Sequence, residues 1–256
     1  MRFNYIAIAL SLTVSTFDAQ ASLVSFTSNG VDLVYSSINN VTWTADANLL
    51  GTMISDQGYS NVVNAIIAAS PTIHDTPNYY DGAKNNADGA NYRPYSGVYT
   101  ISFGDFNSYE LGVTSWFGAK AFAIYLNSIN YAGSNIWTLP SVGANPQFGY
   151  NQIDSDFGSL FYRELSTNAG NNIAENSNFN NEQASEYWLD TEYEPFAYAA
   201  WYFSTKDGSQ FYYPKDYIGY AWVTSPGNIA VVPAPSAIWM MGISLLGLFN
   251  LWRRKQ

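Results

Sequence analysis

The chain has 256 residues, no cysteine, and 10 Lys+Arg against 20 Asp+Glu, for a formal net charge of -10. The absence of thiols excludes disulfides, thiolate metal sites and a cysteine nucleophile. The acidic balance repels nucleic acid, anionic lipid and sulfated glycans at long range, and with charged residues at 12% but aromatics at 17% the palette favours uncharged hydrogen bonding and ring stacking over ion pairing.

Taken in chain order, Arg2 is followed by an apolar stretch over 5–14 and then by Ala19-Gln20-Ala21. This pattern predicts a secretory signal peptide over 1–21, with Ala19 and Ala21 forming the small-residue cleavage site. The roughly 210 residues that follow suit one domain, or one domain with an insertion. Alternating apolar residues over 23–26 lead to Asn29-Gly30, a strong turn signal, and then to 31–35 and 41–43, which together predict a hairpin or short meander. A short helix is predicted over 62–69, stopped by Ser70-Pro71. Residues 75–97, rich in Asn, Gly and Pro, predict a long surface loop. The clearest helix is 115–130, where Trp116, Ala119, Phe122, Ala123, Leu126 and Ile129 recur at helical spacing. Thr114 or Ser115 can cap it, and Gly133 follows its end. Its stripe reads as core. A second helix is predicted over 157–165 with Phe157, Leu160, Phe161 and Leu165 on one side, and 168–185 reads as another polar loop. Strands are predicted at 187–189, 199–203, 211–213 and 220–223, with a hairpin turn at 206–209. Pro226-Gly227-Asn228 closes a domain over 22–228. No internal repeat is evident. The fold class is α+β, with short strands, two or three helices and long loops.

Few constellations carry chemistry. His74 is the only histidine, so a zinc site of several His ligands cannot be assembled. Neither a phosphate loop nor a G-x-S-x-G motif is present. Asp190, Glu192 and Glu194 alternate, and in an extended strand they share one face. Three like charges there repel unless a cation sits among them, and hard oxygen donors suit calcium. The same carboxylates are the candidates for a two-carboxylate hydrolase. Asp154 and Asp156 fit a helix N-terminus better than a site. No obligatory cofactor is implied.

The C-terminus carries a second address. Val232-Pro233-Ala234-Pro235-Ser236 precedes an apolar run over 237–252, and Arg253-Arg254-Lys255-Gln256 follows it. The prolines block helix continuation. The run spans ~24 Å as a helix at ~1.5 Å per residue, against a bilayer core of ~30 Å. The basic tip places the C-terminus on the cytoplasmic side. Val232, Pro233, Pro235, Trp239, Gly242, Leu245, Leu246, Gly247 and Leu248, with Arg253, Arg254 and Lys255, make a tail at 229–256 that resembles the sorting signal of PEP-CTERM and exosortase systems. Ala234 stands where that signal most often has glutamate. An ordinary membrane anchor gives the same topology.

The body resembles the Lcl C-terminal domain family. Leu33-Val34-Tyr35, Thr42-Trp43 and Asp46-Ala47-Asn48 are similar to its opening. Ser115-Trp116, then Tyr131-Ala132-Gly133 and Trp137-Thr138-Leu139-Pro140, are similar to its centre, with Ile136 and Thr138 where the family has Asp and Arg. Tyr187-Trp188 with Thr191-Glu192, Ala200-Trp201-Tyr202-Phe203 with Asp207-Gly208, and Ala221-Trp222-Val223 are similar to its end. The two resemblances imply a C-type-lectin-like domain exported across the inner membrane. They imply a precursor held there by its tail, an exosortase-type enzyme as processing partner, and a mature form at the cell surface or outside. The function expected is non-enzymatic recognition of a neutral glycan or other extracellular polysaccharide. The alternatives are a biofilm or matrix component without a discrete ligand, and a carboxylate-based hydrolase. Nucleic acid is not an expected partner.

Overall fold

A computed structural model describes residues 23–81 and 95–230. The predicted leader with Ala19 and Ala21, the middle of the 75–97 loop, and the sorting residues from Val232 to Lys255 with the span at 237–252 all lie outside the described residues. Among the described residues no helix is long and apolar enough to cross a membrane.

The N-terminal meander forms as expected. Strands β1 (Leu23–Ser28) and β2 (Val31–Ser36) pair antiparallel around Asn29-Gly30. Both turn residues have positive φ, 49° and 79°, the conformation that makes Asn-Gly the preferred tight hairpin turn. β3 (Val41–Thr44) pairs antiparallel with β2. Helix α1 (Leu49–Gln57) was not anticipated. It is short and contains Gly51, so its periodicity is weak. Asn48 starts it by accepting a hydrogen bond from Gly51 N at 3.2 Å, and any side chain at Gly51 would run into the Leu111 carbonyl. Helix α2 (Tyr59–Ala69) ends before Pro71, as expected. The predicted 75–97 loop is flanked by two strands too short to show in the local sequence pattern. β4 (Thr72–His74) pairs antiparallel with β5 (Val98–Thr100).

After β6 (Val113–Thr114) comes α3 (Trp116–Ser128), capped by Ser115, whose Oγ accepts from Gly118 N at 3.0 Å. Trp116, Ala119, Phe122, Ala123 and Leu126 are buried as their spacing predicts, while Ile129 is exposed. The second predicted helix is real but widens along its length. α4 (Asp156–Ser159) runs into a broader turn over Leu160–Glu164, where Leu165 N donates to the Leu160 carbonyl at 2.9 Å. Strands β7 (Glu186–Glu192), β8 (Ala199–Ser204) and β9 (Gln210–Pro214) form a meander.

The predicted strand at 220–223 is corrected. β10 (Gly219–Tyr220) pairs with β6 and β7, whereas β11 (Thr224–Pro226) pairs with β3. The chain therefore passes from a five-stranded sheet, ordered β6-β10-β7-β8-β9, to a four-stranded sheet, ordered β1-β2-β3-β11. Trp222 is the reason for the break. Its ring is held by Trp43 at 5.0 Å, Phe179 at 4.9 Å and Phe157 at 5.7 Å, and its Nε1 donates to the Thr44 carbonyl at 2.9 Å. Satisfying that buried ring and its N–H takes priority over continuing either ladder. One apolar cluster packs the three long helices on Trp188, Leu139 and Val223. A second gathers Trp43, Phe157, Phe161, Phe203, Tyr187 and Trp222 between the sheets.

In the small sheet, Leu23 faces Ser36, Ser36 faces Val41, and Val41 faces Pro226. The first strand begins and the last strand ends on one row, three strand spacings apart, roughly 14 Å at ~4.8 Å each.

Candidate functional site

The end of β9, the β7–β8 connection and the segment after β4 converge around one lysine. Lys215 directly follows β9. Its backbone is fixed on both sides: Lys215 N donates to the Tyr198 carbonyl and Trp116 N donates to the Lys215 carbonyl, each at 2.9 Å. Its side chain is fully buried. Nζ lies 2.5 Å from Asp75 Oδ2 and 3.2 Å from Glu192 Oε2, over the Trp116 ring at 5.0 Å and the Phe117 ring at 5.7 Å. Asp75 is equally buried. Its Oδ2 also accepts from Asn78 Nδ2 at 2.8 Å, while its Oδ1 has no hydrogen-bond partner. Burial pushes the Asp75 carboxyl above its ordinary range and outweighs the opposing pull of Lys215 and Asn78. Glu192 accepts from Thr76 N at 3.0 and 3.2 Å. The cluster thus ties the segment after β4 to the five-stranded sheet.

Over and beside this tie lies a continuous surface of rings. Tyr79 meets Tyr80 at 4.3 Å and Tyr198 at 5.5 Å. Tyr198 stacks on Phe196 at 5.5 Å, and Phe196 meets Tyr212 at 5.8 Å. Tyr193 stacks on Tyr212 at 4.1 Å, Tyr212 stacks on Phe211 at 4.9 Å, and Phe211 meets Phe148 at 4.7 Å. Tyr79, Phe196, Phe148 and Phe211 are each 40–51% exposed. Tyr80 donates its hydroxyl to Asp216, which is exposed, as is Glu194. The large rings come from β9, from the turn after β7 and from two loops, and the sheet and the buried lysine hold them in register. An exposed run of rings of this kind is a candidate interaction surface. Its tyrosines present an apolar face and a hydroxyl edge together.

Asp190 and Glu192 take different hydrogen-bond partners and Glu194 sits exposed, although the Asp190 and Glu192 charges both act on Lys120. The β7 register slips between Trp188 and Glu192, which breaks the alternation on which the expectation rested. Asp190 is held by Thr191 Oγ1 at 2.5 Å, its carbonyl accepts from Lys120 Nζ at 3.4 Å, and burial raises its carboxyl. Glu192 goes to Lys215, and Glu194 sits exposed beyond the strand. Among the described residues no group of three or more His, Asp or Glu could hold a metal ion. His74 is exposed on β4 opposite Val98. Asp156 opens α4 as expected and also ties two loops, with Oδ2 accepting from Ser141 N at 2.8 Å and Oδ1 from Asn39 Nδ2 at 2.9 Å. Asp154 is exposed.

Lys215, Asp75 and most of the exposed rings carry no motif. The available signal was a lysine inside the Phe-Tyr-Tyr-Pro-Lys run over 211–215, in a chain with few bases, because a cation set among strand aromatics needs a buried partner.

No family model, no curated protein and no solved structure matches the chain.

Burial also lifts the carboxyls of Asp156, Glu164 and Glu182, so that with Asp75 and Asp190 five are raised. For Asp207 burial is outweighed by the Ser209 N–H and hydroxyl, which lower it. A raised carboxyl makes the folded state the better proton binder. Its contribution to stability is complete below the ordinary carboxylate value of ~4 and is lost as pH rises through the raised value. Asp207 has the opposite sign, contributing above that value and losing its contribution as pH falls. The five raised carboxyls act in one direction, and the acidic net charge adds self-repulsion in the same direction as pH rises. The urea midpoint is therefore expected to be higher at about pH 5 than at about pH 8. A midpoint that climbs between the two would contradict this balance.

Proposed function

We propose that the chain is an exported, non-enzymatic recognition protein whose C-terminal address passes it to an exosortase-type enzyme, and whose ring surface binds a neutral glycan or similar uncharged extracellular polymer. The observation that carries the reading is the unbroken run of rings from Tyr79 to Phe148 in a chain with a formal net charge of -10. Sugar rings present C–H faces that lie on aromatic planes and hydroxyls that meet tyrosine edges. The exposed carboxylates Glu194 and Asp216 beside the rings disfavour sulfated or other anionic polymers. Glu192, one of the hydrolase candidates, is engaged by Lys215 and by Thr76 N, which favours recognition over hydrolysis. The relation to C-type-lectin-like folds belongs to the same proposal. It is supported by the pairing of the first meander with the last strand, which brings both ends of the body to one sheet.

The test is retention of the purified protein on insoluble neutral polysaccharides, with heparin as the sulfated control. At ~1 kcal/mol per stacking ring, the variant Tyr79→Ala/Phe196→Ala/Tyr212→Ala is expected to weaken binding ~100-fold while its thermal transition changes little. Retention on heparin alone, or neutral-polysaccharide binding that ignores the triple substitution, would sink the proposal.

A further inference from the structure

We propose that the buried trio of Lys215, Asp75 and Glu192 is a self-processing site, in which the Lys215 amine and the Asp75 carboxyl condense to an amide cross-link and Glu192 carries the proton. The geometry holds each part in place. Nζ is 2.5 Å from Asp75 Oδ2, which sets the amine against the carboxyl group whose carbon it would attack. Glu192 Oε2 is 3.2 Å from the same Nζ, and the Thr76 N–H fixes its carboxylate on both oxygens. Trp116 and Phe117 wall the amine, and the Lys215 and Asp75 side chains have no solvent exposure.

The chemistry follows from this environment. Holding two full charges in a buried site costs several kcal/mol per ion before their attraction is counted, and passage of one proton from Nζ to Oδ2 across their 2.5 Å contact gives the amine and the carboxylic acid. Burial raises the Asp75 carboxyl, which favours its protonated and electrophilic form. Neutral Nζ attacks the Asp75 carboxyl carbon and the C–N bond forms. The Glu192 carboxylate takes a proton from the attacking nitrogen and delivers it to the departing Asp75 oxygen. The C–O bond breaks and one water leaves. Amine plus carboxylic acid gives amide plus water, with no electron transfer and no co-reactant. Exclusion of solvent keeps hydrolysis from reversing the step, and a fixed pair of this kind has an effective molarity of ~10⁵–10⁸ M. The product removes the buried ion pair and leaves Oδ1, which has no partner, as one of the two original carboxyl oxygens. The bond joins positions 140 residues apart in a chain without cysteine.

The experiment is peptide mapping by mass spectrometry of the folded full chain after proteolysis. The expected result is a branched peptide joining the segments around Asp75 and Lys215, one water lighter than their sum, with no tryptic cleavage after Lys215. Glu192→Gln is expected to give the two linear peptides, as is Lys215→Arg, which keeps a cation but lacks the amine. Finding only separate linear peptides in folded wild-type protein overturns the proposal, whether or not either variant folds. A branch that persists in Glu192→Gln overturns the proton-carrier role, and one that persists in Lys215→Arg overturns the assignment to Nζ.

Discussion

Relative to the form in which Lys215 and Asp75 are still an ion pair, Lys215→Ala is expected to destabilise the protein by about 3–5 kcal/mol, the cost of stripping one partner from a buried pair. For a body of this size that corresponds to roughly 6–20 °C in Tm, at about 2–4 °C per kcal/mol. The substitution leaves Asp75 buried with only Asn78 as a donor, and it leaves Glu192 facing it without an intervening cation. It also removes the ammonium that lies over the Trp116 and Phe117 rings. The loss is local in origin but broad in effect, since the same lysine holds the segment after β4 against the five-stranded sheet. The companion variant Lys215→Met/Asp75→Leu is expected to recover part of the loss, because removing both charges eliminates the desolvation cost as well as the attraction. Glu192, with 24% of its side chain still exposed, can then turn to water. Equal destabilisation in the single and double variants would show that packing, and not the charge, governs this position. Equilibrium urea unfolding measures both.

Trp222→Ala is expected to cost about 5 kcal/mol, at the upper end of the range for large aromatic-to-alanine changes in a core. The ring is wholly buried and touches Trp43, Phe157, Phe179 and Tyr187. Deleting it opens a cavity between the two sheets and leaves the Thr44 carbonyl without its indole donor. The neighbouring Trp43 provides the internal control. Its Nε1 is buried with no hydrogen-bond partner, so Trp43→Phe gives up volume but no bond and is expected to cost no more than about 1–2 kcal/mol. If the two tryptophans respond alike to phenylalanine, the hydrogen bond of Trp222 is not what separates them.

The secondary structure that the sequence disclosed is the part governed by local rules. The Asn29-Gly30 turn, the Ser115 cap, the stripe of α3 and the stop before Pro71 all depend on residues within a few positions of one another. What escaped depends on distant partners. α1 is short, and it exists because Asn48 and the Leu111 carbonyl accommodate Gly51. The break that leaves 221–223 outside both sheets follows from where Trp222 finds Thr44. The carboxylates of β7 were expected to act together, and a register slip sends them to different neighbours. The same limit hid the site: Asp75 and Lys215 are unremarkable singly, and only the fold brings them within 2.5 Å. The acidic balance and aromatic richness pointed to the kind of surface, but not to which rings would compose it, because rings in the core and rings on the face look alike in the sequence.

The shared row of Leu23 and Pro226 bears on how the body can be rewired. Two ends roughly 14 Å apart, at ~4.8 Å per strand, can be bridged by about five extended residues at ~3.3 Å each. New termini opened at an exposed turn outside the strands would then leave every strand pairing intact, so the domain is suited to circular permutation and to insertion into a host loop.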